Sequence, residues 1–280
     1  MVLQSTGQLS FRLFSVNILF VGDVFGQSGM TVVRRYLRQV REDYDFVVVN
    51  GENVADGRGI TRKLFKQLRD AGADVVTLGN HSWDQAEALK LVEETPRLLR
   101  PLNYPPGTPG LGSGTFSVHN GESVTVAQVM GRVLMQPLDD PFRAIDRVLA
   151  ERPVGANILV DFHAEATSEK KVMGYHLAGR CSAVIGTHTH VQTADETILS
   201  GTGYITDVGM TGPQNSSVGM NFEEVHYRLT SGLPKRFRPS SIPGEIRAVA
   251  IVLQGGKTRS IQRIRAGHKN NDIGQEVIEY

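Results

Sequence analysis

The chain has 280 residues, of which 40% are hydrophobic and 21% charged, and its formal net charge is +1 at pH 7. This composition is typical of one globular domain and gives no general reason to expect a membrane partner or a stable nucleic-acid complex. The single Cys181 excludes an intrachain disulfide, and neither a secretory signal nor a membrane-spanning apolar stretch is recognised, so a cytoplasmic location is expected.

The first third of the chain repeats one unit, an apolar strand that leads through a polar loop into an amphipathic helix. Residues 1–16 are interpreted as an N-terminal extension, 17–267 as the domain and 268–280 as a C-terminal tail. Continuous apolar strands alternating with helices indicate a largely parallel sheet covered on both faces. The predicted strands are 17–21, 45–50 and 73–78, and the predicted helices are 28–40, 61–71 and 84–94.

Antiparallel signals enter in the second part of the chain. Asn120-Gly121 is a strong hairpin signal between predicted strands at 115–118 and 123–129. Two further strand and helix units follow, and the domain closes with a second hairpin around Gly255-Gly256. These later elements are strands at 157–162, 181–186, 245–253 and 258–264 and helices at 141–151 and 168–178.

Side chains that commonly bind metal ions follow five of the predicted strands. In open α/β sheets the carboxyl ends of the strands converge on one crevice, so these side chains are expected to meet despite their separation in sequence. Glycines stand just before them and are expected to let the backbone turn sharply near a ligand. The polar residues are Asp23, Glu52, Asn53, Asn80, His81, His163, His188 and His190, and the glycines are Gly22, Gly51, Gly79 and Gly186.

Each of these residues alone has an ordinary structural explanation. Asp23 could cap the next helix, Glu52 could belong to a turn, and His163 could be a hydrogen-bonded histidine. His188 and His190 are a stronger signal, because alternate strand residues face the same way and can address one site. Together the residues favour a metal site, since the structural explanation requires five independent coincidences at one sheet edge.

The donor types narrow the chemistry of such a site. Carboxylate and amide oxygens with imidazole nitrogens, and no thiolate, suit Mn, Fe or Zn. Two ions about 3.5–4 Å apart can clamp the attacking and leaving oxygens in phosphoryl transfer and lower the pKa of a bridging water to about 7. Such a pair needs a bridging carboxylate. Glu52 is the candidate because its strand lies between those that lead to Asp23 and Asn80.

Five motifs carry a resemblance, from Asn17 to about Gly267, to the calcineurin-like metallophosphoesterases, and within them to the bacterial YmdB-type cyclic-nucleotide phosphodiesterase family. The resemblance implies an α/β fold, a four-layer α-β-β-α sandwich of mixed sheets with the metal site at the C-terminal ends of strands. The motifs are Gly22-Asp23-Val24-Phe25-Gly26, Asn50-Gly51-Glu52-Asn53, Leu78-Gly79-Asn80-His81, the segment 161–170, and Gly186-Thr187-His188-Thr189-His190-Val191.

The resemblance also implies roles for individual residues. His81 would be the proton donor, and because Ser82 replaces a commonly acidic neighbour, Asp84 is the candidate to orient it. Phe25 stands where the wider superfamily carries a histidine ligand, and Asn53 resembles the replacement. One ion would be bound by Asp23, Glu52, Asn53 and His190, and the other by Glu52, Asn80, His163 and His188.

The reaction implied by the resemblance is hydrolysis of a small phosphodiester, with 2′,3′-cyclic nucleotides as the substrate class. A metal-bridging hydroxide would attack phosphorus while two ions, Fe or Mn with Zn as the alternative, neutralise charge and His81 protonates the departing sugar oxygen. A phosphomonoesterase and a regulatory protein that acts through a partner stay open as alternatives, as does self-association into a homo-oligomer.

Basic residues are concentrated near the end of the chain. Between Arg228 and Lys269 ten lysines and arginines face Glu245 as the one acidic residue. This excess is interpreted either as the solvated surface of terminal strands or as an electrostatic funnel for an anionic substrate.

Overall fold

Two six-stranded sheets pack face to face in the structure, which is a computed structural model that describes residues 15–119 and 121–267. The strands in chain order are β1 (Ser15–Val21), β2 (Phe46–Asn50), β3 (Val75–Thr77), β4 (Leu98–Leu99), β5 (Ser113–Ser117), β6 (Ser123–Met130), β7 (Asn157–His163), β8 (Ala183–Thr187), β9 (Thr197–Leu199), β10 (Thr202–Ile205), β11 (Ile246–Gln254) and β12 (Lys257–Ala266).

Both sheets combine four parallel strands with antiparallel pairing, at one edge of the first sheet and at both edges of the second. The first has the order β12-β11-β1-β2-β3-β4, in which β1 to β4 are parallel, β11 is antiparallel to β1 and β12 is antiparallel to β11. The second has the order β5-β6-β7-β8-β10-β9, in which β6, β7, β8 and β10 are parallel and both edge strands are antiparallel. The mixed sheets and both predicted hairpins are therefore confirmed.

Helices cover the outer faces of both sheets, and three apolar cores separate four layers. Alternation along the strands divides the core, since Leu19 packs toward the helices of the first sheet and Phe20 packs between the sheets. The outer core of the second sheet contains Ile145 and Met173 from its covering helices. This is the predicted α-β-β-α sandwich. The helices are α1 (Gly26–Val40), α2 (Arg62–Ala71), α3 (Ala88–Glu94), α4 (Pro141–Ala150), α5 (Thr167–His176) and α6 (Phe222–Ser231).

Local side chains fix where several helices begin and end. Thr61, Asp140 and Asn221 each accept a hydrogen bond from a backbone N–H in the first turn of α2, α4 and α6. Gly72 and Gly232 take the left-handed conformation after α2 and α6, which ends both helices.

Several boundaries differ from the prediction. β1 begins at Ser15, inside the proposed extension, while residues 1–14, Asn120 and 268–280 lie outside the described part of the chain. α3 begins at Ala88 instead of 84, because turns occupy the preceding residues. β4 and β9 escaped prediction because two and three residues are too few to show a period. β10 and α6 were also missed. No described helix is both long and apolar enough to cross a bilayer.

Candidate metal centre

The strand ends of the two sheets bring five predicted side chains into two overlapping groups. One group contains Glu52, His163 and His188, and the other contains Asp23, Glu52 and His190. Within each group the possible ligand atoms lie within 4.8 Å of one another. Glu52 belongs to both groups, which is the position that a bridging carboxylate requires.

Two asparagines extend these groups, one on each side. Asn80 Oδ1 lies 2.9 Å from His163 Nε2, and Asn53 Oδ1 lies 3.2 Å from His190 Nε2. The Asn53 amide nitrogen donates to the Gly57 carbonyl at 3.0 Å, which leaves its oxygen facing the histidine. Each group therefore has an amide oxygen beside its imidazole.

The hydrogen bonds of His163 determine which ring nitrogen faces the centre. Thr187 Oγ1 donates its hydrogen to Asp161 Oδ1 at 2.7 Å, so it accepts from His163 Nδ1 at 2.9 Å. A neutral His163 therefore carries its proton on Nδ1 and presents the lone pair of Nε2 to Glu52 and Asn80. Asp161 is itself held by Thr77 and Asn50, which makes this a buried network.

The other two histidines are oriented in the same manner. His188 Nε2 lies 3.1 Å from a Glu165 carboxylate oxygen, and its Nδ1 lies 3.1 Å from His163 Nε2. His190 Nδ1 donates to the Val218 carbonyl at 2.9 Å and turns Nε2 toward Asn53. An acceptor on the outer nitrogen fixes the tautomer of a metal-binding histidine. In its neutral form each of the three imidazoles thus presents a lone pair to the centre.

The charges of the centre are strongly coupled. Burial opposes ionisation of Glu52, but His163 outweighs it and lowers the pKa of Glu52 to about 2. Burial likewise opposes the imidazolium of His163, but Glu52 and Asp23 raise its pKa to about 9. Burial raises the pKa of Asp23 well above its usual value. A cation is the group that relieves this arrangement, because it stabilises both carboxylates and replaces the proton on His163.

Asp23 provides a second test of whether a cation fits. The residue is completely buried, and its Oδ1 has no hydrogen-bond partner, while Oδ2 accepts from the His188 backbone N–H at 3.2 Å. His163 Nδ1 approaches Oδ1 only to 3.8 Å. A buried carboxylate oxygen without a hydrogen bond is costly unless something positive meets it. The residues present therefore fit metal ions of the kind that oxygen and imidazole donors select.

His81 lies beside the two groups and outside both. Its backbone N–H donates to Glu52 Oε2 at 3.2 Å, and its Nδ1 lies 2.9 Å from Asp84 Oδ2. The side chain is 26% exposed. Asp84 thus contacts the ring through Nδ1, as the sequence suggested.

The loop that carries His188 and His190 departs from the predicted geometry. β8 ends at Thr187, and the two histidines have φ angles of 99° and 66°, so the expectation that they alternate along a strand is wrong. They reach different groups because the backbone takes the left-handed conformation at both residues. This is rare for a residue with a side chain and must be held by its surroundings.

A buried ion pair holds this loop, and the sequence argument missed it. Asp207 Oδ2 accepts from the backbone N–H and hydroxyl of Thr189 at 3.0 and 2.7 Å. Lys170 donates to the same carboxylate at 2.5 Å and to the Thr187 carbonyl at 2.7 Å. Asp207 follows β10 as the other polar residues follow their strands. A prediction of β10 would therefore have identified it.

The glycines beside the centre allow close packing. Turns begin at Gly51 and Gly79, where Val54 N–H and Ser82 N–H donate to the glycine carbonyls. None of Gly22, Gly51, Gly79 and Gly186 has a positive φ, so the backbone conformation itself does not require glycine at these positions. At Gly79 a Cβ atom would overlap the Glu52 carboxylate and the His163 ring. Glycine is thus required there because the ligands occupy the space of a side chain.

Comparisons with known proteins agree with this geometry. A model of the YmdB-like protein family matches residues 19–264. The chain is 45% identical over 255 residues to the 2′,3′-cyclic-nucleotide 2′-phosphodiesterase of Bacillus subtilis (strain 168), covering 89% of this chain and 96% of that protein.

Two solved structures share the fold closely. A hypothetical protein from Thermus thermophilus has a TM-score of 0.86 and 46% identity, covering 90% of this chain and 100% of its own. A novel phosphatase from Mycoplasma pneumoniae has a TM-score of 0.86 and 31% identity, covering 92% of this chain and 96% of its own. The similarity thus extends over nearly the whole length of each protein.

Proposed function

The chain belongs to the YmdB-like protein family and is a phosphoric ester hydrolase, and on that premise we propose that it opens 2′,3′-cyclic nucleotides with the help of two metal ions. The observation that carries the proposal is the pair of ligand groups that share Glu52. The name of the Bacillus subtilis relative supports the choice of substrate class. The buried Cys181 agrees with a reducing, cytoplasmic setting.

The proposed ions would be held by side chains from both sheets. Fe or Mn is preferred and Zn is the alternative, because the donors are oxygens and imidazoles without a thiolate. Bound there, the ions would supply Lewis acidity to the phosphoryl oxygens and an activated water as the nucleophile. One ion would contact Asp23, Glu52, Asn53 and His190, and the other Glu52, Asn80, His163 and His188.

The chain's own contribution to bond cleavage is a proton. Hydrolysis adds water across one P–O bond of the cyclic diester, so a new P–O bond forms and the bond to one sugar oxygen breaks. That oxygen must gain a proton, which we assign to His81 Nε2. Of the two protons of the attacking water, one restores the imidazole and the other stays on the phosphate monoester or passes to solvent. Asp84 orients the ring through Nδ1. Such general acid catalysis contributes about 10²–10⁴-fold.

The test is a substrate panel on protein loaded with Mn or Fe. Wild type, Glu52→Gln and the matched control Glu151→Gln, which changes an exposed glutamate, are compared on 2′,3′-cyclic nucleotides and on phosphate monoesters. We expect opening of the cyclic diester by wild type and the control only. Faster release of phosphate from monoesters would favour a phosphomonoesterase. Inactivity of the loaded protein on every substrate would favour a regulatory protein.

A further inference from the structure

The segment Asn221–Arg238 leaves the fold beside the metal centre and returns to it. Its base is closed by hydrogen bonds of 2.8 Å from Asn221 N–H to the Arg238 carbonyl and from Ser240 N–H to the Gly219 carbonyl. Val218, next to Gly219, supplies the carbonyl that accepts from His190 Nδ1. The segment therefore begins three residues after Val218, which contacts the proposed ligand His190.

The helix of this segment, α6, makes little contact with the rest of the protein. Glu224 is its one buried residue among Phe222–Ser231, while Phe222 is 58% exposed and Leu229 79% exposed. Leu233, just after the helix, is 54% exposed. A short helix in water gains most of its stability from packing, and exposed apolar groups of this kind mark an interaction surface.

The surface of the segment is positively charged. Arg228, Lys235, Arg236 and Arg238 follow Glu224 without another acidic residue before Glu245. Glu224 pairs with Arg238. Within the described part of the chain, no carboxylate forms a salt bridge with the other three. Those three charges are thus available to an anionic partner.

Aromatic rings alternate with these cations. The Lys235 ammonium lies 5.6 Å from the centroid of Tyr227, and the Arg228 guanidinium lies 5.2 Å from that of Phe237. Phe222 stacks on a histidine of the same helix with the ring centroids 5.4 Å apart. Cations that follow a phosphate backbone, combined with rings on which bases stack, are the means by which proteins hold single-stranded nucleic acid.

We propose that this basic–aromatic surface, defined as residues 222–238, binds the upstream nucleotides of single-stranded RNA whose 3′ end carries the 2′,3′-cyclic phosphodiester. The proposal rests on the proposed function, which places that terminal diester at the metal centre. A ten-residue helix is about 15 Å long, enough to contact a few nucleotides. The complex formed is a salt-sensitive substrate complex instead of a stable assembly.

A second copy of the chain is the other occupant to consider for this surface. In a twofold interface the same patch faces itself, so the positive charges of Arg228, Lys235 and Arg236 would be brought together with those of the second copy. Like charges placed together oppose association, whereas a polyanion complements all three. The charge distribution therefore favours nucleic acid.

The experiment compares two substrates that share one reacting group. A 2′,3′-cyclic mononucleotide and a hexaribonucleotide ending in the same cyclic nucleotide are hydrolysed by wild type, by Lys235→Glu/Arg236→Glu, and by Lys63→Glu/Arg147→Glu. The last is a control with the same charge change at exposed residues of α2 and α4. We expect the first double variant to raise KM for the hexamer by about tenfold and to flatten its salt dependence. The kcat of this double variant for the hexamer should stay unchanged, and so should its kcat and KM for the mononucleotide. The control variant should keep the wild-type constants for both substrates.

Equal KM values of wild type for the two substrates, or equal changes in both double variants, would overturn the proposal. Lys235→Glu/Arg236→Glu could change the sedimentation of the protein without selectively raising KM for the hexamer. That result would assign the surface to self-association. If wild type fails to open the mononucleotide, the proposed function itself is wrong. Fluorescence anisotropy of a labelled hexamer with a 3′-phosphate, measured with the same variants, would then still decide whether the surface binds RNA.

Discussion

The two sheets supply different halves of the metal centre. The loops of the first sheet carry the oxygen donors Asp23, Glu52, Asn53 and Asn80, and the second sheet and its loops carry the imidazoles His163, His188 and His190. A carboxylate can offer a lone pair in several directions, whereas a neutral imidazole offers one, from the nitrogen that lacks a proton.

This difference explains where the supporting hydrogen bonds lie. Each imidazole has an acceptor on its outer nitrogen, namely Thr187, Glu165 or Val218. The loop between His188 and His190 is held in addition by Lys170 and Asp207. On the oxygen side, Asp23 Oδ1 has no hydrogen bond. The rings of the nitrogen half are therefore oriented by acceptors on their outer nitrogens, and the oxygen half supplies the two carboxylates of the centre.

The largest effect is expected on the oxygen side at Glu52. Glu52→Gln should lower occupancy at both metal positions and reduce activity to background, because the shared side chain loses its charge. Asp23→Asn should chiefly weaken one position. Elemental analysis and anomalous scattering measure the difference. Two fully occupied ions at unchanged spacing in Glu52→Gln would show that Glu52 does not bridge.

Removal of His81 is expected to leave both halves of the centre intact. His81→Ala should retain both ions and lose about 10²–10⁴-fold in kcat on cyclic nucleotides, with a smaller loss on a nitrophenyl ester whose leaving group needs little protonation. The measurement is the pair of kcat ratios at equal metal content. Equal losses would indicate a positioning role, and loss of metal would make His81 a ligand.

The nitrogen side can be tested at Glu165, which is half exposed and contacts His188 from outside the centre. Glu165→Ala should weaken metal binding at one position by about 10–100-fold, because His188 is no longer held in one tautomer. Glu165→Gln should restore most of the affinity, since an amide oxygen still accepts from Nε2. Titration with Mn compares the three proteins. Equal affinities in all three would remove Glu165 from the supporting network.

The smallest effect is expected at Asp195, beside the second sheet and away from the centre, and concerns how the Tm of the protein depends on pH. Burial opposes ionisation of Asp195, but hydrogen bonds from Lys171 and Thr206 lower its pKa to about 2. Stability from this carboxylate is present above its unfolded pKa of about 3.9 and is lost as pH falls from there toward 2. Wild type should therefore have a higher Tm than Asp195→Asn at pH 5, with the gap closing near pH 2.

The exposed residue Asp139 supplies the control for this comparison. Asp139→Asn should follow the wild-type Tm at both pH values. If Asp195→Asn keeps the same Tm deficit at pH 2 as at pH 5, the deficit comes from lost packing or neutral hydrogen bonds and the ionised carboxylate contributes nothing.

Helix α6 shows why an element outside the sheets was not predicted from the sequence. α6 was not predicted because its exposed residues show no single apolar face, and a helix is recognised in sequence mainly by such a face. Its N-cap Asn221 and terminal Gly232 were present as signals, but without periodicity between them they indicate only turns. The pairing of the buried Glu224 with the exposed Arg238 depends on a contact that the loop creates.

The sequence by itself determined most of the strands and the residue types gathered at the strand ends, because apolar periodicity and strand–loop succession are local properties of the chain. The four layers were implied by the family resemblance and not by this periodicity. Only the tertiary structure decided how these residues face one another. The left-handed backbone at His188 and His190, the choice of ring nitrogen in His163, and the Lys170–Asp207 pair all depend on partners far away in sequence. Such contacts form only when both sheets have packed, and pairing over long separations leaves no periodic trace in the chain.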